Sequence, residues 1–237
     1  TYGMCCIGAL MFFIVGKCMK MKPRDLGLFS GGGVYSNVIF MGQPLILAMY
    51  GAEGLIFCVA VMFTCNVFLF TVCSVLFAMG SDQKKNLKTM AKEICTSLIC
   101  ISAVIGLFCF AKEIRLPQPV FDVLQYSANT TVCLSMIYIG SLLAAANVRE
   151  IFKDKVVYIF SFFTLIIMPI ITKALCHTFM SGMALSVLVV LMATPAAAAL
   201  PSFADQYGAD EKRASQYTFV STIFSVLTLP LVAQFLC

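Results

Sequence analysis

Charge is what this chain has least of. Only 11% of its 237 residues are Asp, Glu, Lys or Arg, tryptophan is absent, and His177 is the single histidine. A water-soluble domain covers itself with roughly a quarter charged residues, so a soluble globule is excluded. One histidine cannot assemble a zinc site, and the cysteines do not supply the missing ligands: Cys5 adjoins Cys6 and Cys95 precedes Cys100 by five, spacings that match no zinc or thioredoxin pattern. Paired carboxylates at mid-helix, an activated nucleophile and a phosphate-binding loop are lacking too. No glycosidic, proteolytic or phosphoryl-transfer centre follows, and neither an enzyme nor a bound cofactor or metal is expected.

What the chain has is hydrocarbon. Hydrophobic residues make up 61% of it and the mean hydropathy is +0.97, values of a membrane protein surrounded by lipid. Most of the twelve cysteines, Cys58, Cys65, Cys73 and Cys109 among them, lie inside apolar runs, where they act as small hydrophobes rather than as a disulfide framework. The net charge of +5 does not imply nucleic acid, because basic clusters at helix ends are topology signals first.

A window of about 19 residues gives eight apolar spans. They run from Tyr2 to Gly16, Leu26 to Tyr50, Leu55 to Gly80, Ile94 to Phe110, Phe121 to Ala146, Val156 to Leu175, Met180 to Ala204 and Tyr217 to Cys237. The first is short for a hydrocarbon core of about 30 Å, and the chain opens on Thr1, so it reads as a fragment whose N-terminal helices are missing. Alternate loops hold thirteen basic residues: Lys17, Lys20, Lys22 and Arg24; Lys84, Lys85, Lys88 and Lys92; Arg149, Lys153 and Lys155; Lys212 and Arg213. The opposite side holds Lys112, Arg115 and Lys173. The positive-inside rule then places the thirteen in the cytoplasm and the C-terminus outside, in a multi-pass protein of the cytoplasmic membrane.

Sliding the chain by 157 residues superimposes two segments. Asn37, Pro44 and Tyr50-Gly51-Ala52-Glu53 fall on Thr194, Pro201 and Tyr207-Gly208-Ala209-Asp210. The loop at Gly51 is expected outside and that at Gly208 inside, so the copies run oppositely, as inverted repeats do. Both are also interrupted. The first holds Gly31, Gly32, Gly33, Gly42 and Pro44 within one span, and the second holds Pro195 and Pro201. Proline removes a backbone donor and glycine weakens a helix, so neither helix is expected to be continuous. Thr194 before Pro195 has the form of an N-cap followed by proline at the first helical position, which would start a half-helix there and aim its N–H groups at an anion. A pair of kinked packing helices is the plainer reading; interruptions at matching positions of opposed repeats favour a binding centre.

At these residues the chain resembles the auxin efflux carrier family, whose bacterial members are permeases for malate, malonate and similar organic anions. The likeness rests on NVIFMGQPLILAMYGAEGL in the first interrupted span and on LMATPAAAALPSFADQYGADEKRASQYTFVSTIFSVLTLPL near the end. It implies an all-α membrane fold of two inverted five-helix repeats with two crossing broken helices, like bile-acid symporters and sodium/proton antiporters. The eight spans would be helices three to ten of ten. Residues 1–237 would form one transmembrane domain, with 1–79 the remainder of the first repeat, 80–93 a cytoplasmic linker and 94–237 the second repeat.

By the same resemblance Asn37 is the substrate-binding asparagine, and Pro44 and Pro195 are the crossing prolines. Read from the residues themselves, Gln43 after Gly42 and Thr194 before Pro195 are further candidates for substrate contact. Asn66, in an unbroken fifth helix, and Thr222, in the last, either face the site or bond within the bundle. The partners expected are a small organic anion, the bilayer and, as an option, a second copy in a homodimer. The resulting expectation is a secondary transporter of a small carboxylate working by alternating access. A cation-coupled symporter or proton antiporter on the same fold, and a membrane sensor that transports nothing, stay open at this point.

Overall fold

The structure is a computed structural model that describes residues 1–79, 96, 98–114, 116–144 and 154–236. The expected linker 80–93 and the basic positions 84, 85, 88, 92, 115, 149 and 153 lie outside the described residues. Those described form helices, turns and one isolated pair of bridged residues.

The first helix, α1, spans Tyr2–Cys18, and α2, Pro23–Gly32, begins on a proline whose missing N–H would have no partner in a first turn anyway. After a non-helical stretch at 33–37, a π-helical turn, Val38–Gly42, leads into α3, Gln43–Phe68. A second such turn, Leu69–Cys73, continues into α4, Ser74–Phe77. Next come α5, Leu98–Ala111, and α6, Gln118–Ala144. The helix α7, Lys155–Phe162, passes through a third π-turn, Phe163–Ile167, into α8, Met168–Cys176. Finally α9, Met183–Met192, and α10, Leu200–Gln206, precede α11, Glu211–Leu236.

Among the described residues, three stretches are long and apolar enough to cross a bilayer: Val38–Phe77, Lys155–Cys176 and Glu211–Phe235. The 40 residues of the first would reach about 60 Å as one rod, twice a hydrocarbon core. Gly51 resolves this. Its φ of 62° and ψ of −156° are not helical, so the stretch divides where the sequence places a loop. Gly208, its counterpart 157 residues on, also has a positive φ, 75°, a conformation in which a Cβ is strained.

Other details depart from expectation. The fifth expected helix runs on without a break, but the π-turn at Leu69–Cys73 widens it. In the sixth expected span the π-turn ends just before Pro169, and such a turn absorbs the hydrogen bond that proline cannot make.

The core is aromatic where helices meet. Phe12 of α1 packs edge-on to Phe29 of α2 at 5.4 Å, Phe29 lies 5.7 Å from Phe160 of α7, and Phe160 stacks on Tyr217 of α11 at 4.2 Å. Outward faces are aliphatic instead: Leu10 is 60% exposed, Ile56 57% and Leu227 70%. Apolar surface on this scale suits contact with lipid tails, and the molecule is an all-α membrane protein.

Candidate functional site

A chain that leaves the helical conformation inside a membrane must find new partners for its backbone, since lipid offers none. The two interruptions supply each other. The Asn37 N–H donates to the Pro195 carbonyl at 2.8 Å, and the Ala197 N–H donates to the Tyr35 carbonyl at 2.8 Å. Ser36 and Ala196 thereby form an antiparallel bridge, the only one among the described residues. Gly42 keeps the contact close, for a Cβ there would come within 2.5 Å of Leu191 Cδ2 and 3.4 Å of Thr194 Cγ2.

The ends of these segments fix their directions. Asp25, in the first turn of α2, pairs with Arg213 at 3.3 Å. Asp154, the N-cap of α7, pairs with the same guanidinium at 3.3 Å, and Arg24 donates to the Ala209 carbonyl at 3.2 Å. The first interrupted segment therefore starts at the Arg213 end of the molecule, and the second finishes there. Between these ends the pairing point is uncharged and buried: Asn37 is 3% exposed, Ser36 6%, and Thr194 and Ala196 are fully buried.

Asn37 stands at the centre of this arrangement as a cap. Its Oδ1 accepts from the Phe40 N–H at 3.4 Å, and its main-chain carbonyl accepts from Met41 and Gly42 at 3.3 and 3.2 Å. Thr194 behaves otherwise than its sequence context implies. Its hydroxyl donates back to the Leu191 carbonyl at 2.7 Å and closes the end of α9. The next helix starts at Leu200, with Ala199 as N-cap and Pro201 in its first turn, so Pro195 is not a first helical residue. The reason is tertiary: residues 195–197 are held extended by pairing with 35–37.

The remaining candidates are dispersed. Gln43 and Pro44 open α3 and are exposed. Asn66 is buried, and its Nδ2 donates to the Met62 carbonyl of its own helix at 3.0 Å. Thr222 donates to the Thr218 carbonyl at 2.6 Å and is half-buried. The structure thus gathers Asn37, Thr194 and Pro195 at one point and leaves Gln43, Pro44, Asn66 and Thr222 outside the main-chain bonds there.

Two residues of α11 hold the second interruption directly. The Ser221 hydroxyl accepts from the Ala196 N–H at 3.2 Å while donating to the Tyr217 carbonyl at 2.7 Å. Thr218 donates to the Ala197 carbonyl at 3.3 Å. The sequence ranks Thr222 above Ser221 and does not single out Thr218. The missed signal is register: Ala214, Thr218, Ser221 and Ser225 fall three or four apart, the spacing of one helix face, and all are buried.

Among the described residues no group of three His, Cys, Asp or Glu side chains could hold a metal ion. A separate recess of about 210 Å³, lined by Tyr158, Phe162, Leu165 and Phe224 among others, is apolar and shares no residue with the paired interruptions.

Fold and site together define a membrane-embedded helical protein organised around two backbone-paired helix breaks. Residues 1–233 match the membrane transport protein family, the auxin efflux carrier-like family, and the chain belongs to it. It is also similar to an uncharacterized transporter of Methanocaldococcus jannaschii, 28% identical over 235 residues that cover 96% of this chain and 75% of that protein. Family and relative are transporters rather than enzymes.

Proposed function

We propose that this protein is a secondary transporter that binds a small organic anion, a dicarboxylate or other carboxylate, where its two helix interruptions meet. The single observation carrying this reading is the reciprocal main-chain pairing of residues 35–37 with 195–197 around the buried Asn37. Helix breaks free polar groups at membrane depth, where they substitute for the hydration shell of a solute. The opposite directions of the two segments, and the positive φ of both Gly51 and Gly208, support inverted repeats formed by 1–79 and 94–237. Convergence of Asp25, Asp154 and Arg213, which belong to or adjoin three of the basic loops, supports a common cytoplasmic side and an outer C-terminus.

In this reading Asn37 has two duties. Its Oδ1 caps the π-turn, and its amide protons are the donors offered to a carboxylate. Thr194 and Pro195 shape the facing wall, and Gln43, Pro44, Asn66 and Thr222 come into play as the helices shift. Alternating access moves the paired segments against the remaining helices, exposing the solute to each side in turn. An anion leaving a negative interior gains about 2.3 kcal/mol per charge for each 100 mV, enough to drive export without a partner ion.

Radiolabelled malate or malonate flux in proteoliposomes tests the assignment with Asn37→Asp. That variant keeps the capping oxygen but replaces the amide donors by negative charge, so uptake is expected to fall at least about tenfold while the fold persists. Flux and apparent affinity equal to the parent protein's would end the reading.

A further inference from the structure

The paired interruptions make no use of the apolar recess between α7 and α11. These two helices start together, where Asp154 pairs with Arg213 at 3.3 Å, and run side by side: Phe160 stacks on Tyr217, and the Tyr158 ring lies 5.9 Å from that of Phe224. The recess of about 210 Å³ lies along this seam, walled by Tyr158, Phe162, Leu165 and Ile166 on one side and by Phe224 and Thr228 on the other. Leu165 and Ile166 belong to the π-turn Phe163–Ile167, whose extra residue shifts the phase of the helix against its neighbour. Both walls belong to stretches that can cross a bilayer, and the rim is apolar and outward-facing, with Phe162 52% exposed and Leu227 70%. Its mouth therefore meets acyl chains.

Charge marks one end of the recess. Lys155, Tyr158, Phe162 and Ile166 recur every three or four residues, so they share one face of α7 and its π-turn, and Lys155 is exposed. From Lys155 to Ile166 the helix rises about 16 Å, half of a hydrocarbon core of about 30 Å. The stripe thus offers an ammonium at the polar boundary, a tyrosine at the depth where such rings collect, and an apolar trough reaching the midplane. Arg213, at the same end, is already engaged by Asp25 and Asp154, which leaves Lys155 as the cation of this stripe.

We propose that this recess binds an anionic phospholipid, with one acyl chain lying between α7 and α11 and the phosphate held over Lys155. Length and chemistry together select the occupant. The stripe spans one leaflet, as a lipid does; a free anion has no use for the trough, and an apolar neighbouring helix has none for the ammonium. The site owes nothing to the carboxylate reading of the interruptions, and its test needs no flux.

The chain contains no tryptophan, so a single one reports on its own surroundings. The full chain carrying Phe162→Trp is reconstituted in vesicles that mix phosphatidylglycerol with phosphatidylcholine, one or the other brominated on its acyl chains. Fluorescence quenching then gives the relative affinity of the two lipids at the recess. The expected preference for phosphatidylglycerol is about fivefold, the effect of one lysine on an anionic lipid. Adding Lys155→Gln should abolish it, and so should Ile166→Phe, which fills the trough. Leu231→Trp, at a 51% exposed position further along α11, should report no preference. Equal quenching by the two lipids at Phe162→Trp, a preference that survives Lys155→Gln or Ile166→Phe, or the same preference at position 231 would overturn the proposal. Tyr158→Trp, on the same wall of the recess, decides the question if Phe162→Trp does not fold.

Discussion

The two helix interruptions achieve the same geometry by different means. The first is built from Gly33 to Asn37 and caps itself, with Asn37 supplying both a side-chain and a main-chain acceptor to the turn that follows. The second, Ala193 to Ala199, has only alanines, one threonine and one proline, and borrows its polar partners from α11 through Ser221 and Thr218. The contrast teaches that an interruption in a membrane helix is defined by where its backbone bonds go, not by which residues cause it. It also implies that damage to α11 should reach the second interruption well before the first.

The strongest break in that comparison is Ser221→Ala. It strips the Ala196 N–H of its acceptor in a buried setting, and the expected loss is about 2 kcal/mol. Thermal unfolding followed by circular dichroism should register it, and amide exchange should rise at 196 while 37 stays protected. Asn37→Ala acts on the other interruption and should lose about 1 kcal/mol, the ordinary effect of a missing cap, whereas Asn37→Ser should recover most of it. Equal sensitivity of both interruptions to Ser221→Ala would erase the distinction.

Arg213→Ala should affect the two segments alike, because its guanidinium meets Asp25 at the start of one and follows the end of the other. With partners about a quarter exposed, the expected loss is about 1 kcal/mol, and it should shrink as salt rises through the range that screens surface pairs. The smallest effect belongs to Thr222→Val. Its hydroxyl bonds only to its own helix, so a change within about 0.5 kcal/mol is expected. A melting shift as large as that of Ser221→Ala would move the boundary of the site along α11.

Much of this arrangement was legible in the sequence, and for identifiable reasons. Glycine and proline inside an apolar span announce lost backbone bonds, and the repeated Tyr-Gly-Ala-acid marked Gly51 and Gly208, two of the glycines that take positive φ. What could not be read was where those bonds are remade. Thr194-Pro195 looks like a helix start only if residues 196–198 turn helical, and pairing with 35–37 decides that they do not. The roles of Ser221 and Thr218 stayed hidden because any hydroxyl in a membrane helix has its own carbonyl four residues back as an alternative. The π-turns left no pattern in hydropathy, since a widened turn changes the phase of a helix without changing its composition.

The joint between positions 35–37 and 195–197 is made of peptide groups, and this sets a rule for drift among relatives. Positions 37 and 197 must each give an N–H, so an imino acid is forbidden at either. Position 195 gives only a carbonyl, and it is there that proline is found. Side chains at 36 and 196 contribute nothing to the two hydrogen bonds, but both are buried, and position 196 must also keep its N–H for Ser221. Drift at the joint is therefore confined to side chains that fit the packed space around it.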